Sequence, residues 1–297
     1  MDSPTVYSQS YGKSRVTLSR IHRDGPRHEF VELAVSIALD GDFNASYSEA
    51  ATSMVVATDT MKNTVYVLAS RHGVRSIEEF AQQLARHFLE RYSHVNKVNI
   101  TCEEQPWQRL EFVGQQHNHA FLGNTTERHA CEVIASADGS TTMTSGLHGL
   151  RVLKTTGSEF RDFFRDEYTT LSDTDDRIFA TTIRTHWICR ELNVDWTAFR
   201  QDIRAAFLDV FANRHSKSVQ HTLYEMATEA FRVCPLIDEI TIRMPNQHHL
   251  LANLTPFGLQ NPNEVFVPTS EPYGDIGATI RRNAGDESKR GPAEVKN

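Results

Sequence analysis

The first apolar residues of the chain alternate with polar or small ones, which is the pattern of a half-buried strand. Within residues 31–39 the large apolar side chains fall at every second position and face one way, and the run stops at Asp40-Gly41. A strand over about residues 14–22 comes before it, and Asp24-Gly25-Pro26 between them is a turn signal. These features predict an antiparallel hairpin near the start of the chain.

A helix with one apolar face follows. Ser76 and Glu79 form a capping box at its start, and the apolar residues after them recur with the helical period. The same arrangement returns 119 residues later, with Asp195 in the cap position. The matching apolar residues are Ile77, Phe80, Leu84, Phe88 and Leu89 in the first helix and Trp196, Phe199, Ile203, Phe207 and Leu208 in the second. Agreement at one offset predicts an internal repeat.

Each of these helices leads to a strand with alternating apolar residues. In the second copy an additional amphipathic helix, about residues 218–233, comes in between and stops at Cys234-Pro235. We therefore predict an α+β fold of two tandem units, each an antiparallel sheet with helices on one face. The predicted units span residues 11–143 and 144–281, and residues 1–10 and 282–297 are predicted to be flexible termini.

Composition and charge narrow the class of protein. Of the 297 residues, 39% are hydrophobic and 23% are charged, which suits a globular chain with a sizeable core. The net charge of -7, with acids and bases mixed, argues against a nucleic-acid binder, which needs a basic stripe. The sequence carries no secretory signal, no apolar run near the ~18 residues of a membrane span and no peroxisomal C-terminal tripeptide. We therefore expect a cytoplasmic protein.

Familiar catalytic motifs are missing, since there is no Gly-rich phosphate loop, no Gly-x-Ser-x-Gly elbow and no His-Glu-x-x-His helix. The four cysteines form no Cys-x-x-Cys pair, which favours reduced and mostly buried thiols. His117 and His119 on a strand would share one face, and His248-His249 adds a second pair, so metal binding is a legitimate interpretation. A third ligand with family-like spacing is not evident, and isolated histidine pairs are usually hydrogen-bonded structural residues.

A second set of polar residues lies at positions where the predicted fold does not require polar side chains. Each has an ordinary explanation, because a Thr-Asp pair is usually a helix cap and an arginine beside two acids is usually a surface ion pair. Considered together, they favour a binding or catalytic site. The set consists of Lys13, Thr58, Asp59, Arg177, Gln220 and Asn246.

With their neighbours, these residues resemble the urate oxidase (uricase) family, and bacterial members most of all. The block at residues 55–66, Val-Val-Ala-Thr-Asp-Thr-Met-Lys-Asn-Thr-Val-Tyr, is very specific, whereas Tyr-Gly-Lys alone would be weak. The likeness runs from about residue 11 to 281 and is poor over residues 92–112. The other matching stretches, in the family's order and spacing, are residues 11–13, 154–160, 168–171, 218–220, 244–249 and 262–266.

The resemblance implies a fold, an assembly and a reaction. The family has the tunnelling fold, with two tandem units per chain, and assembles as a homotetramer around a tunnel in a barrel shape. Its active sites lie between subunits, so that one chain contributes Thr58 and its neighbour contributes most of the rest. The implied reaction is the oxidation of urate by O2 and water to 5-hydroxyisourate and hydrogen peroxide, with no metal and no organic cofactor.

The resemblance also implies roles for single residues. Arg177 and Gln220 would grip one edge of the purine, because a guanidinium fork and an amide suit a flat anion. A buried lysine can act as a base, and a hydroxyl can pass a proton on. The implied catalytic relay is Lys13, Thr58 and His248. The other implied contacts are Phe160 on the ring face, the backbone at Val219 and Asp59, and Asn246 with Thr58 at the site of oxygen or the attacking water.

Two other interpretations remain open on the sequence. Zinc-dependent pterin enzymes share the tunnelling fold, and His117 with His119 would be the best candidate zinc ligands here. Stoichiometric zinc whose removal abolishes activity would identify the chain as such an enzyme. An inactive paralogue would still tetramerise and bind purines, yet would consume no oxygen. The sequence disfavours such decay, because every position of the implied relay carries the required residue type.

Overall fold

The computed structural model describes residues 4–123 and 126–282. Its internal contacts divide the chain into two units. Of the predicted flexible termini, residues 1–3 and 283–297 lie outside the described residues, while residues 4–10 form neither helix nor strand. The first unit comprises Met1–Val152, Thr182–His186 and Val194–Arg200, and the second comprises Leu153–Thr181, Trp187–Asn193 and Gln201–Asn297.

The first unit is built on an antiparallel sheet. Its helices are α1 (Asn44–Ser48), α2 (Thr58–His72) and α3 (Ile77–Arg91). Its strands are β1 (Tyr11–His22), β2 (Glu29–Gly41), β3 (Val95–Gln105), β4 (Gln108–Phe112), β5 (Gln115–Leu122), β6 (Arg128–Ser136) and β7 (Thr141–Lys154). The strand order is β1-β2-β3-β6-β7, with antiparallel neighbours throughout, and β4 pairs with β5 separately. The predicted opening hairpin is confirmed as β1 and β2.

The remaining elements lie mostly in the second unit. Helix α5 (Val219–Val233) belongs to it entirely, whereas the first turns of α4 (Trp196–Asn213), up to Arg200, belong to the first unit. The strands are β8 (Phe179–Cys189), whose middle part, Thr182–His186, belongs to the first unit, and β9 (Ile237–Gln247), β10 (His249–Leu251), β11 (Phe266–Pro268) and β12 (Gly274–Arg281). The strand order is β8-β9-β12, and β10 pairs with β11. The β9–β12 and β10–β11 pairs are both antiparallel.

The core of the first unit lies where α3 packs on β3 and β6. Leu84 and Phe88 on the helix are fully buried, as are Val98 and Ile100 on β3. Burial of a side chain of this size stabilises the fold by about 1.5–3 kcal/mol. The predicted α+β class is confirmed, and so is the prediction of buried free thiols for all four cysteines. Within the described ranges, no helix has the length and apolar character to cross a membrane.

The internal repeat pairs α3 with α5, at an offset of 142 residues. Both helices follow a serine N-cap, Ser76 or Ser218, whose hydroxyl accepts the backbone N–H three residues on at 3.1 Å. Both lead directly into a strand. Apart from Glu78, whose counterpart Gln220 is exposed, the buried residues of α3 match those of α5: Ile77, Phe80, Ala81, Leu84, Ala85 and Phe88 with Val219, Thr222, Leu223, Met226, Ala227 and Ala230. In the strands, Val95, Val98, Ile100 and Cys102 of β3 match Ile237, Ile240, Ile242 and Met244 of β9.

The predicted offset of 119 residues, which matched α3 with α4, was therefore wrong. Any two capped amphipathic helices can be aligned at some offset, because their apolar residues share one period. Only the strand that follows each helix tells the alternatives apart. The helix near residues 218–233 is not an additional element, since α2 precedes α3 just as α4 precedes α5 along the chain.

Candidate active site

Lys13 lies in β1 at a point where the two strands of the hairpin approach closely. It is half-buried and pairs with Ile37 of β2. A Cβ atom at Gly12 would lie 1.7 Å from the carbonyl oxygen of Ile37, so only glycine fits before the lysine. The register shifts between Lys13 and Val16, and Arg15 has a φ of 53°. Such a bulge turns side chains in a new direction, which here follows directly on Lys13.

Tyr11 fastens the segment before α2 to the same strand. Its hydroxyl accepts a 2.8 Å hydrogen bond from the backbone N–H of Val56, and its ring meets the Phe43 ring edge-on, with centroids 4.8 Å apart. Burial raises the pKa of Tyr11. Val56 lies two residues before Thr58, so this bond holds the start of α2 near Lys13. Sequence reasoning missed this role, although Tyr11 stood in the matching Tyr-Gly-Lys stretch.

Thr58 and Asp59 are the first two residues of α2 and not its cap. The N-cap is Ala57, which has no side chain to accept a hydrogen bond, and the first backbone bond of the helix runs from Met61 N–H to its carbonyl at 3.2 Å. The N–H groups of the first turn therefore lack a helical partner, and both leading residues are exposed. An uncapped helix start of this kind favours anionic or carbonyl-rich ligands.

The side chain of Asp59 is occupied within its own helix. Lys62 Nζ lies 2.5 Å from one carboxylate oxygen, and Asn63 Nδ2 lies 2.9 Å from the other. The hydrogen bond and charge of Lys62 lower the pKa of Asp59, with smaller contributions from Asn63 and from the charge of Lys13. The structure thus brings three of the predicted residues together in the first unit: Lys13, Thr58 and Asp59.

Arg177 is a half-buried cation of the second unit that has no acidic partner among the described residues. Its acidic neighbours bind elsewhere: Asp175 pairs with Arg161, and Asp176 accepts a 2.6 Å hydrogen bond from Thr156. The Nε of Arg177 is buried without a hydrogen-bond partner, and burial lowers the pKa of the guanidinium. A desolvated guanidinium in this condition is suited to a planar anion.

Phe160 and the start of α5 are joined to Arg177 through the backbone. The guanidinium carbon of Arg177 lies 5.2 Å from the centre of the Phe160 ring, and the backbone N–H of Arg177 donates to the carbonyl of Ser158 at 2.8 Å. Ser158 forms a β-bridge with Ser216, two residues before the α5 cap. The predicted contacts Val219, which is buried, and Gln220, which is exposed, are the first two residues of that helix.

Asn246 lies near the end of β9, and His248 follows that strand directly, also in the second unit. Asn246 pairs with Gly274 of β12. The carbonyl of His248 accepts the backbone N–H of Thr269 at 2.9 Å, and both predicted residues are half-buried. The candidate residues therefore fall into two sets, one per unit, with Lys13 in the first and Arg177 in the second.

The two histidines that suggested a metal site, His117 and His119, contact each other. The rings of His117 and His119 meet nearly at right angles with centroids 4.6 Å apart, and the backbone N–H of His119 donates to His117 Nδ1 at 3.3 Å. Over residues 4–123 and 126–282, no group of three or more His, Cys, Asp and Glu residues is arranged to hold a metal ion.

Comparison with known proteins assigns the chain to a family. A family model described as Uricase matches residues 9–134 and 143–277. The chain belongs to the uricase family. Uricase of Arthrobacter globiformis is 42% identical to it over 272 residues, which cover 92% of this chain and 88% of the relative. Uricase of Oryctolagus cuniculus is 39% identical over 278 residues, covering 92% and 93%.

Solved structures of uricases share the fold as well. The crystal structure of uricase from Arthrobacter globiformis matches with a TM-score of 0.88 at 39% identity, over 99% of both chains. A uricase structure from Bacillus fastidious, 22% identical, matches with a TM-score of 0.81 and supports the fold alone. The family resemblance is therefore confirmed, and the comparisons do not favour the zinc-dependent pterin enzyme or the inactive paralogue.

Replacing Tyr11 tests how the site of this uricase-family chain is anchored. In Tyr11→Phe the buried N–H of Val56 loses its acceptor, which should lower the free energy of unfolding by about 1–3 kcal/mol. Hydrogen exchange at Val56 should also accelerate. Tyr66→Phe is the matched control, because its exposed hydroxyl lies 3.4 Å from the Thr17 carbonyl and should matter little. Unchanged exchange at Val56 in Tyr11→Phe would show that the bond does not fix this segment.

Proposed function

We propose that this chain is a urate oxidase, which oxidises urate with O2 and water to 5-hydroxyisourate and hydrogen peroxide. The observation that carries the proposal is Arg177, a half-buried guanidinium beside Phe160 without an acidic partner among the described residues, in a chain of the uricase family. Urate is a flat anion, so it supplies both the charge and the ring that these two side chains lack.

Binding uses the two helix starts together with the arginine. Arg177 and the Gln220 amide grip one edge of the purine, because guanidinium and amide together offer donors and an acceptor in one plane. Phe160 stacks on the ring face, a contact worth about 0.5–1.5 kcal/mol beyond burial. The backbone N–H groups of Val219 and Asp59 complete the polar outline, since each lies in the first turn of its helix.

The chemistry requires proton transfer and a place for oxygen. Lys13, Thr58 and His248 form the relay that removes a proton from urate, after which the electron-rich ring reduces O2 without a metal or an organic cofactor. Asn246 and Thr58 hold oxygen, and later the attacking water, above the ring. The Asp59 carboxylate accepts hydrogen bonds from Lys62 and Asn63 within its own helix, which supports the backbone of Asp59, and not its side chain, as the contact to the substrate.

A complete site requires both sets of residues, and we propose that subunits of a homotetramer share it. One subunit supplies Lys13, Thr58 and the backbone of Asp59. Its neighbour supplies Phe160, Arg177, Gln220 and the residues at the end of β9. The resemblance to the uricase family supports this arrangement, because it implies active sites that lie between subunits.

The direct test is to mix the purified protein with urate in air. Urate absorbance should fall while oxygen is consumed and hydrogen peroxide appears in equal amounts. Dialysis against a chelator should leave the rate unchanged. Tight urate binding without oxygen uptake would reject catalysis, and activity that returned only with added zinc or copper would reject the cofactor-free mechanism.

Two substitutions should separate chemistry from binding. Lys13→Met removes a relay group, so kcat should fall by about 10²–10⁴-fold with little change in KM. Arg177→Ala removes the partner of the anion and should mainly raise KM. Steady-state rates of urate loss measure both. The controls are Lys97→Met and Arg232→Ala, at exposed positions outside the proposed site.

A wild-type kcat in Lys13→Met would remove the lysine from the relay. An unchanged KM in Arg177→Ala would mean that the anion is held elsewhere, whereas both controls should retain wild-type constants.

Mixing the two impaired variants, assayed at a urate concentration far below the raised KM of Arg177→Ala, tests the shared site. Thr58→Ala and Arg177→Ala disable opposite halves, so exchange of subunits should create some sites in which both halves are intact. If pairing is random, about one quarter of the sites should recover. Activity of the mixture is compared with each variant alone after mild dissociation and reassembly. No recovery despite proven exchange, or full activity in a monomer, would contradict sharing.

A further inference from the structure

The internal repeat equates Gln220, a proposed substrate contact, with Glu78. Each is the second residue of its helix, two positions after a serine cap that accepts a 3.1 Å hydrogen bond. Their surroundings differ sharply. Gln220 is exposed, whereas the side chain of Glu78 is 0% exposed. The same position of the repeat is therefore buried in the first unit and exposed in the second.

Arg200, which also belongs to the first unit, forms a buried ion pair with Glu78. Its guanidinium donates through Nη2 to Oε1 of Glu78, and the Ser145 hydroxyl donates to the same oxygen at 2.5 Å. The side chain of Arg200 is 6% exposed, so the pair is almost completely withdrawn from water. Oε2 of Glu78 and Nε of Arg200 are both buried without a hydrogen-bond partner in the described part of the chain.

A second carboxylate, that of Glu104, lies on the other side of the Arg200 guanidinium. Nη1 of Arg200 lies 3.4 Å from Nδ1 of His129 and 4.0 Å from Oε2 of Glu104. His129 Nδ1 in turn lies 2.8 Å from Glu104. A buried position flanked by two carboxylates strongly disfavours an anion and strongly favours a cation.

We propose that the start of α3 is a second ligand-binding position of the fold, specific for a planar guanidinium-like cation, and that the chain's own Arg200 permanently occupies it. The proposal rests on the proposed function in one respect, because it takes Gln220 to be a ligand contact. In the second unit, Gln220 carries no charge and Arg177 has no acidic partner among the described residues, so an external anion completes the site. In the first unit, Glu78 and Arg200 neutralise each other within the chain.

Removing Arg200 should turn this position into a site for an external cation. Arg200→Ala leaves Glu78 buried without its partner and leaves a space shaped by a guanidinium. Methylguanidinium at low millimolar concentration should then bind once per chain, measured by calorimetric titration, and should raise Tm by about 2 °C or more. Wild type should bind none at this position, because Arg200 fills it.

Three comparisons make the experiment specific. Tetramethylammonium carries the same charge without planar donors and should not replace methylguanidinium. Arg232→Ala breaks an exposed pair with Glu229 and should gain no binding. The double variant Glu78→Gln/Arg200→Ala lacks the carboxylate and should lose the binding seen in Arg200→Ala.

The same test works if Arg200→Ala folds poorly. Refolding from urea with methylguanidinium should then recover more folded protein than refolding without it, for this variant and not for the double variant. No gain in Arg200→Ala, an equal gain with tetramethylammonium, or a gain that persists in the double variant would overturn the proposal. Urate is absent from all these measurements, so their failure is distinguishable from a failure of wild type to oxidise urate.

Discussion

The packing of α3 and α5 on their strands determines where the first turn of each helix lies, and the candidate chemistry depends on those turns. An amphipathic helix must bury its apolar stripe, so Ile77, Leu84 and Phe88 set the rotation of α3 about its own axis. Once the rotation is set, the direction of the second residue, Glu78 or Gln220, is set too. The serine caps satisfy one N–H of each first turn, and the remaining donors are available to other groups.

One difference in residue type gives the two repeated positions opposite properties. A carboxylate withdrawn from water requires a cation nearby, because isolated burial of its charge would be very unfavourable. Glu78 meets that requirement inside the chain, with Arg200. The amide of Gln220 carries no charge and makes no such demand, so it can remain exposed at the surface. The same scaffold therefore supports a closed ion pair in one unit and an open polar edge in the other.

Patterns over short stretches of sequence correctly predicted the elements that depend on neighbouring residues alone. The alternation of the first hairpin and the capped start of α3 appear where they were expected. The offset of the repeat did not, because helical periodicity alone cannot say which capped helix corresponds to which. The pattern also missed α2, whose start has no capping side chain and whose outer face carries the exposed apolar residues Tyr66 and Val67.

For the candidate site, too, the sequence predicted some features and missed others. Residue identities came from likeness to a family, and the comparisons confirm that family, but no pattern indicated that Tyr11 holds Val56. Nor did any pattern connect Glu78 with Arg200, which are separated by 122 positions and meet only through packing. Such contacts are decided by tertiary structure, where one chain segment supplies the partner that another requires.

Arg177 illustrates why adjacent charges in a sequence are a poor guide to paired charges in a structure. Asp175 and Asp176 precede it directly, so a surface ion pair was the ordinary expectation. Both acids instead hold Arg161 and Thr156, and the guanidinium is left partly desolvated with no acidic partner among the described residues. Leaving a cation in that state is unfavourable for the folded chain alone, and an anion that pairs with it recovers the difference on binding. In the proposed function, part of the affinity for urate would therefore be established when the chain folds, before the ligand arrives.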